Sequence, residues 1–191
     1  LIVPEDSNQI LARAPQLDAL VNYCSPELLA KAINLRWIHI RGAGVEKNVF
    51  PGMVKIDVIL TNCKIIFGPQ LADHAMAMLL YLTRNLYKVQ ESHDWESRDA
   101  YSCIELEGKT ALIIGLGGAG SKVSQRVGGF GMKALAINVE DKPLFGVVEK
   151  VGKPDELHEM LPKADVVFVC APDTQKTKGM FGPKEFALMK K

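Results

Sequence analysis

The six residues Gly115-Leu116-Gly117-Gly118-Ala119-Gly120 constrain this chain more than any other segment. They directly follow an apolar run, Thr110 to Gly115, and directly precede a helical stretch from about Ala119 to Phe130. In that position GxGxxG predicts a strand turning sharply into a helix. Gly115 permits the tight turn, Gly117 lets backbone approach a pyrophosphate, and Gly120 lets the helix pack close to the strand. The helix start then offers unbonded N–H groups and a partial positive charge to phosphate. A glycine-rich turn in an unrelated α/β protein is the alternative for the six residues alone. The flanking strand and helix favour dinucleotide binding.

Alternation continues beyond the motif, with runs at Ala134 to Asn138, Val147 to Val151 and Asp165 to Cys170 and a helix from about Asp155 to Leu161. Ala111-Leu112-Ile113-Ile114 and Val166-Val167-Phe168-Val169 are apolar at every position, as strands covered on both faces must be. The fold class is therefore α/β with a parallel, doubly wound Rossmann-type sheet. About 20 residues after the motif such sheets present an Asp or Glu to the adenosine ribose, and here that position is Asn138. Asn138 can still hydrogen-bond a ribose. Glu140 and Asp141 either add negative charge there or form a solvated turn, and Lys142 is the cation nearest in sequence. The balance favours NAD, with NADP possible.

Upstream, Leu17 to Tyr23, Leu35 to Ile40 and Ile56 to Asn62 read as short strands of a small α/β unit. A helix with Ser25 as N-cap and Pro26 at its first position follows the first of them. From Pro69 to about Glu91 the apolar residues recur at helical spacing, predicting one helix of about 34 Å. Its Ala75 to Leu82 segment is apolar on every face, which predicts burial against another domain or a second copy of the chain. A polar linker, His93 to Ser102, separates the two parts. We expect residues 1–100, including this helix, to form a substrate domain and residues 101–191 a cofactor domain.

Composition narrows the function. Net charge is +1, with 23 basic and 22 acidic residues interspersed, which gives no footprint for nucleic acid or an anionic membrane. Cys24, Cys63, Cys103 and Cys170 stand apart without metal-ligand spacing, so neither zinc nor a disulfide framework is expected. Reduced thiols and the absence of a 20-residue apolar run predict a cytoplasmic protein. Opening at Leu1 rather than Met is read as trimming of the N-terminus.

Four blocks in order give the chain its resemblance to a known family. They are Leu35-Arg36-Trp37-Ile38 into Gly42-Ala43-Gly44-Val45-Glu46; Gly68-Pro69 through Ala72-Asp73-His74 to Leu82-Thr83-Arg84; Leu106-Glu107-Gly108-Lys109-Thr110 into the glycine motif and Phe130-Gly131-Met132; and Ala164-Asp165-Val166-Val167 through Ala171-Pro172, Thr174, Thr177 and Gly179 to Leu188-Met189-Lys190. Together they resemble the D-isomer-specific 2-hydroxyacid dehydrogenases, with Glu46 where that family usually has Asp. The resemblance implies a smaller flavodoxin-like substrate domain beside the Rossmann domain, both incomplete. Ala43 and Gly44 would hold a substrate carboxylate through their amides, although Gly42-Ala43-Gly44 read alone is also a plain turn. Gly118 and Ala119 would touch the pyrophosphate, and Ala171, Pro172 and Thr177 would line the dinucleotide cleft.

The implied activity is hydride transfer between NAD and C2 of a small 2-hydroxy or 2-keto acid, in a homodimer. An NAD-sensing binding protein of the dehydrogenase-like corepressor type is the alternative. The family's catalytic arginine, acid and histidine lie beyond Lys191 by resemblance, so the chain is expected to be an inactive front portion with four of six strands. His39, His74, His93 and His158 match no catalytic position. Arg41 either meets a carboxylate or faces solvent.

Overall fold

Branched and long aliphatic residues supply most of the strands in the computed structural model, which describes residues 3–89, 102–141 and 147–190. The chain divides into two compact units, Leu1–Ile66 and Phe67–Lys191. In the first, α1 (Ser7–Arg13), β1 (Ala19–Val21), α2 (Pro26–Lys31), β2 (Trp37–Ile40), α3 (Pro51–Val54) and β3 (Ile59–Asn62) alternate. Asp6 and Ser25 N-cap α1 and α2, the latter through Oγ accepting from the Leu28 amide at 3.1 Å. The sheet is parallel in the order β1-β2-β3. Right-handed crossovers stepping in one direction put their helices on one face. Accordingly Leu28 of α2 and Met53 of α3 share one core with Ile38 and Ile40. Val21, Trp37 and Ile59, of opposite parity, are exposed.

In the second unit, α4 (Gly68–Thr83) and α5 (Leu86–Val89) precede β4 (Thr110–Ile114), α6 (Gly118–Gly129), β5 (Lys133–Ile137), β6 (Lys150–Gly152), α7 (Leu157–Met160), β7 (Val166–Val169) and α8 (Pro183–Leu188). The sheet is again parallel, in the order β6-β5-β4-β7. Chain order runs outward from β4 to β6 and then jumps back to β7, which moves the connecting helix to the opposite face. Ala111, Ile113, Ala134 and Ala136 pack with Val123 and Val127 of α6 and Met76 of α4. Leu112, Ile114 and Ile137 pack the other way, with Leu157, Met160 and Leu161. The doubly wound sheet expected from the apolar runs is thus present, and its order reverses between β4 and β7. Among the described residues β7 ends the sheet, with Val169 exposed.

Two expectations about the long helix need correction. It is two helices, because Arg84 closes α4 and Asn85 takes a left-handed φ of 52°. Asn tolerates that region, and the Asn85 Nδ2 donates to the Ser102 carbonyl at 2.6 Å. Within the single chain its middle is buried on one side. Gly68, Ala72, Met76, Leu79 and Thr83 form one buried stripe against α6, while Leu71, Met78 and Leu82 are exposed. The stripe places α4 in the second unit, whereas the sequence grouped it with the first. The helix expected over 155–161 is a short α-helix flanked by 3-10 turns at Pro154–Glu156 and Leu161–Lys163, each with proline in its first turn. Lys142, His93 and most of the expected linker lie outside the described residues.

Candidate dinucleotide-binding site

At the reversal between β4 and β7, Gly115 turns with φ 95° and lies so close to the neighbouring loop that an added Cβ would stand 3.0 Å from the Ala171 nitrogen. Gly120 faces the Gly115 carbonyl, and a Cβ there would collide with it. Leu116 points inward and is 2% exposed, anchoring the loop in the α6 core. Gly117 is different: a Cβ built on it would meet nothing within 4 Å. It is the N-cap of α6, with no side chain bonded to the helix start. The first amides of α6 have no intrahelical acceptor by helix geometry. Open space beside a glycine at a helix N-terminus without a side-chain cap fits the pyrophosphate of a dinucleotide.

Side chains brace this loop. Asn138 Oδ1 accepts from the Leu116 amide at 3.0 Å, and its Nδ2 donates to the Glu140 carbonyl at 2.8 Å. Asn138 therefore ties the end of β5 to the glycine loop, a role the sequence did not suggest. Ser121 Oγ donates to the Gly117 and Leu116 carbonyls at 2.8 and 3.1 Å, and the buried Ser124 Oγ donates to the Gly120 carbonyl at 2.8 Å. Beyond β5, Asp141 Oδ1 pairs with Lys153 Nζ at 2.7 Å, and the same ammonium donates to the Val139 carbonyl at 3.2 Å. Lys153 comes from the end of the adjacent strand, so nothing in the motif's own neighbourhood in sequence marks it.

Of the residues expected to line the cleft, Ala171 packs beside Gly115. Ala171, Pro172 and Thr177 also line a hollow of about 500 Å³, bounded by Val169, Met180 and Phe186. Thr177 Oγ1 donates to the Pro172 carbonyl at 2.6 Å and accepts from the Thr174 amide at 2.9 Å, so it shapes the loop. Cys170, one residue before, has its thiol pushed up by burial. Asp165, at the start of β7, accepts from the Thr110 amide at 2.8 Å and faces Lys190 at 3.1 Å. That amide bond first, and Lys190 after it, hold its carboxyl below the usual range.

In the first unit, Ala43 and Gly44 are exposed in the loop after β2. Asn62 Nδ2 donates to the Ala43 carbonyl at 2.5 Å, and the Cys63 amide to the Gly42 carbonyl at 3.2 Å. The Glu46 carboxylate folds back over Gly44, where a Cβ would collide with it. Arg41 is exposed at the loop's start and His74 on α4. His158 meets Glu185 at 2.8 Å, which holds that carboxyl low. His39 is more than a strand residue, since both ring nitrogens have partners, Thr61 and Cys63.

The model of the D-isomer specific 2-hydroxyacid dehydrogenase NAD binding domain matches residues 76–191. D-3-phosphoglycerate dehydrogenase from Mycobacterium bovis is 28% identical over 97% of this chain, which covers 36% of that protein. The Bacillus subtilis enzyme of the same name is 32% identical over 86% of the chain, covering 32% of its own length. The chain thus spans about a third of these relatives. Among solved structures, a D-isomer specific 2-hydroxyacid dehydrogenase family protein from Aeromonas salmonicida superposes with a TM-score of 0.77 at 27% identity, over 91% of this chain and 56% of that one. The Aquifex aeolicus D-lactate dehydrogenase complexed with NAD and lactic acid gives 0.74 at 26% identity, over 94% of this chain and 56% of its own. With the matched model covering more than half of the chain, the chain belongs to the D-isomer specific 2-hydroxyacid dehydrogenase family and carries its NAD-binding domain.

Proposed function

We propose that the chain serves an oxidoreductase that moves a hydride between NAD and C2 of a small 2-hydroxy or 2-keto acid. The observation that carries this is the open space at Gly117, the N-cap of α6 with no side chain bonded to the helix start, at the point where the sheet order reverses. Bound NAD supplies the hydride chemistry itself. The chain's part is to hold it, with Gly118 and Ala119 at the pyrophosphate, Gly115 and Gly120 keeping the turn tight, and Asn138 fixing the loop. Ala171, Pro172 and Thr177 bound the cleft beside it. Ala43 and Gly44 hold the substrate carboxylate through exposed amides. Glu46 must swing away for an anion to settle there. Titration of the chain with NADH, followed by a 2-keto acid panel on the longest natural form of the protein, tests the reading. Failure of NADH to bind overturns it.

The preferred cofactor in this reading is NAD, because Asp141 adds negative charge shortly after Asn138 and Lys153 is already paired to it. The exposed Leu71, Met78 and Leu82 on α4 support a homodimer with a second copy packed there, and light scattering of a Met78→Glu variant tests that by its mass. Among the described residues no helix is long and apolar enough to cross a membrane, and the four cysteines are free. Both support a cytoplasmic location.

A further inference from the structure

Among the described residues of the first unit, His39 and Cys63 form a grouping that neither packing nor the dinucleotide site accounts for. Cys63 Sγ lies 3.4 Å from His39 Nε2, and His39 Nδ1 lies 2.9 Å from Thr61 Oγ1. Trp37 Nε1 donates to that same hydroxyl at 2.8 Å. The indole is a donor only, so the Thr61 oxygen has one lone pair taken and the other free to accept from His39 Nδ1–H, in the neutral ring that carries its proton there as well as in the charged one. His39 can therefore gain a proton at Nε2 without losing its partner at Nδ1. A nucleophile within reach of a base, with the base oriented by a third group, is the arrangement that activates side chains for covalent chemistry. The backbone holds the sulfur in place, because the Cys63 amide donates to the Ile40 and Gly42 carbonyls, both at 3.2 Å. His39, Thr61 and Cys63 are all only partly buried, on the sheet face whose Trp37 and Ile59 are exposed.

We propose that Cys63 is a covalent modification site for hydroperoxides, with His39 as its base. The thiol proton passes to His39 Nε2 as sulfur attacks one peroxide oxygen. An S–O bond forms and the O–O bond breaks. Sulfur loses two electrons to the peroxide, and the departing hydroxide or alkoxide takes the proton from His39. Cys63 becomes a sulfenic acid, and water or an alcohol leaves. The other cysteines are built differently. Burial pushes up the Cys24 and Cys170 thiols, and the exposed Cys103 donates to the Arg84 carbonyl at 3.7 Å.

The test labels the folded chain with iodoacetamide at pH 7 and, separately, with hydrogen peroxide plus a sulfenic-acid trap, and reads each cysteine by peptide mass. We expect Cys63 to alkylate about tenfold faster than Cys103 and to be the principal trapped sulfenic acid. His39→Gln should bring Cys63 down to the Cys103 rate while leaving Cys103 unchanged. Thr61→Val should slow Cys63, and Thr61→Ser should restore it. In urea the advantage should vanish in the unmodified sequence, a comparison that needs no variant to fold. Equal rates at Cys63 and Cys103 in the folded chain overturn the proposal. So does a Cys63 rate indifferent to His39, or alkylation without any trapped sulfenic acid.

Discussion

Gly117 and Gly120 sit three residues apart in one motif and answer to different forces. At Gly120 a methyl group collides with the Gly115 carbonyl, so Gly120→Ala should lower the melting temperature, by about 1–3 kcal/mol of stability. At Gly117 a methyl group meets open space. Gly117→Ala should therefore cost little stability yet bind NADH about tenfold or more weakly, because its methyl enters the open space that the proposed function assigns to the pyrophosphate. Calorimetry and NADH titration on the pair separate the two roles. An equal fall in both properties for both variants would refute the assignment. The motif's location was legible because strand, glycines and helix are contiguous in sequence. Asn138 and Lys153 were read less well, since hydrogen bonds to Leu116 and Asp141 depend on neighbouring strands and leave no local signal. If the pair governs cofactor choice, Asp141→Asn should release Lys153 and narrow the preference for NADH over NADPH severalfold, as paired titrations would reveal. Asp165 gives the pH prediction. Its carboxyl is held low by the Thr110 amide and then Lys190, so its charged form stabilises the fold above about pH 4 and that contribution is lost as the pH falls. Asp165→Asn should cost about 1 kcal/mol at pH 7, with the difference closing below about pH 4 in denaturant titrations.

At the scale of elements, α4 shows how far apolar spacing reaches and where it stops. Residues 71, 75, 78, 79 and 82 read as helix, and helix they are, but hydrophobicity alone does not reveal which side meets a neighbour. The buried side is Gly68, Ala72, Met76, Leu79 and Thr83, selected by small residues that let α4 approach α6. The break at Asn85 went unread because neither Gly nor Pro marks it, and the Asn85 bond to Ser102 spans 17 residues. The strands were legible to within a few residues because continuous apolar runs of four or five suit a sheet covered on both faces. α4 comes close to α6 at Gly68, where a Cβ would stand 2.5 Å from the Gly118 carbonyl at the start of α6. Across the same two helices Asp73 pairs with Arg126 at 2.9 Å. Gly68→Ala should push α4 away from the turn that the proposed function assigns to the pyrophosphate. Stability and NADH affinity should then fall together, unlike the separable effects at Gly117. Unchanged NADH affinity in a destabilised Gly68→Ala chain would show that α4 supports the core without shaping the cofactor loop.

On the scale of the whole molecule, residues 1–66 and 67–191 have separate cores: Leu28, Ile38, Ile40 and Met53 in one, and both faces of the β6-β5-β4-β7 sheet in the other. All the proposed NAD contacts lie in the second unit. A ligand stabilises what it binds by mass action, by about 2.7 kcal/mol at one hundred times its dissociation constant. Saturating NADH should therefore slow amide hydrogen exchange across β4, α6, β5 and the loop after β7. The glycine-loop amides should show the largest change, because their opening must break bonds such as Leu116 to Asn138 before exchange occurs. The β1, β2 and β3 amides should exchange at unchanged rates with NADH alone. A 2-keto acid added with the cofactor should extend protection to the loop of Ala43 and Gly44, whose amides are assigned to the carboxylate. Equal protection of both units by NADH alone would mean that the cofactor is read by residues of the first unit as well, and the division of binding labour argued from the two cores would fail.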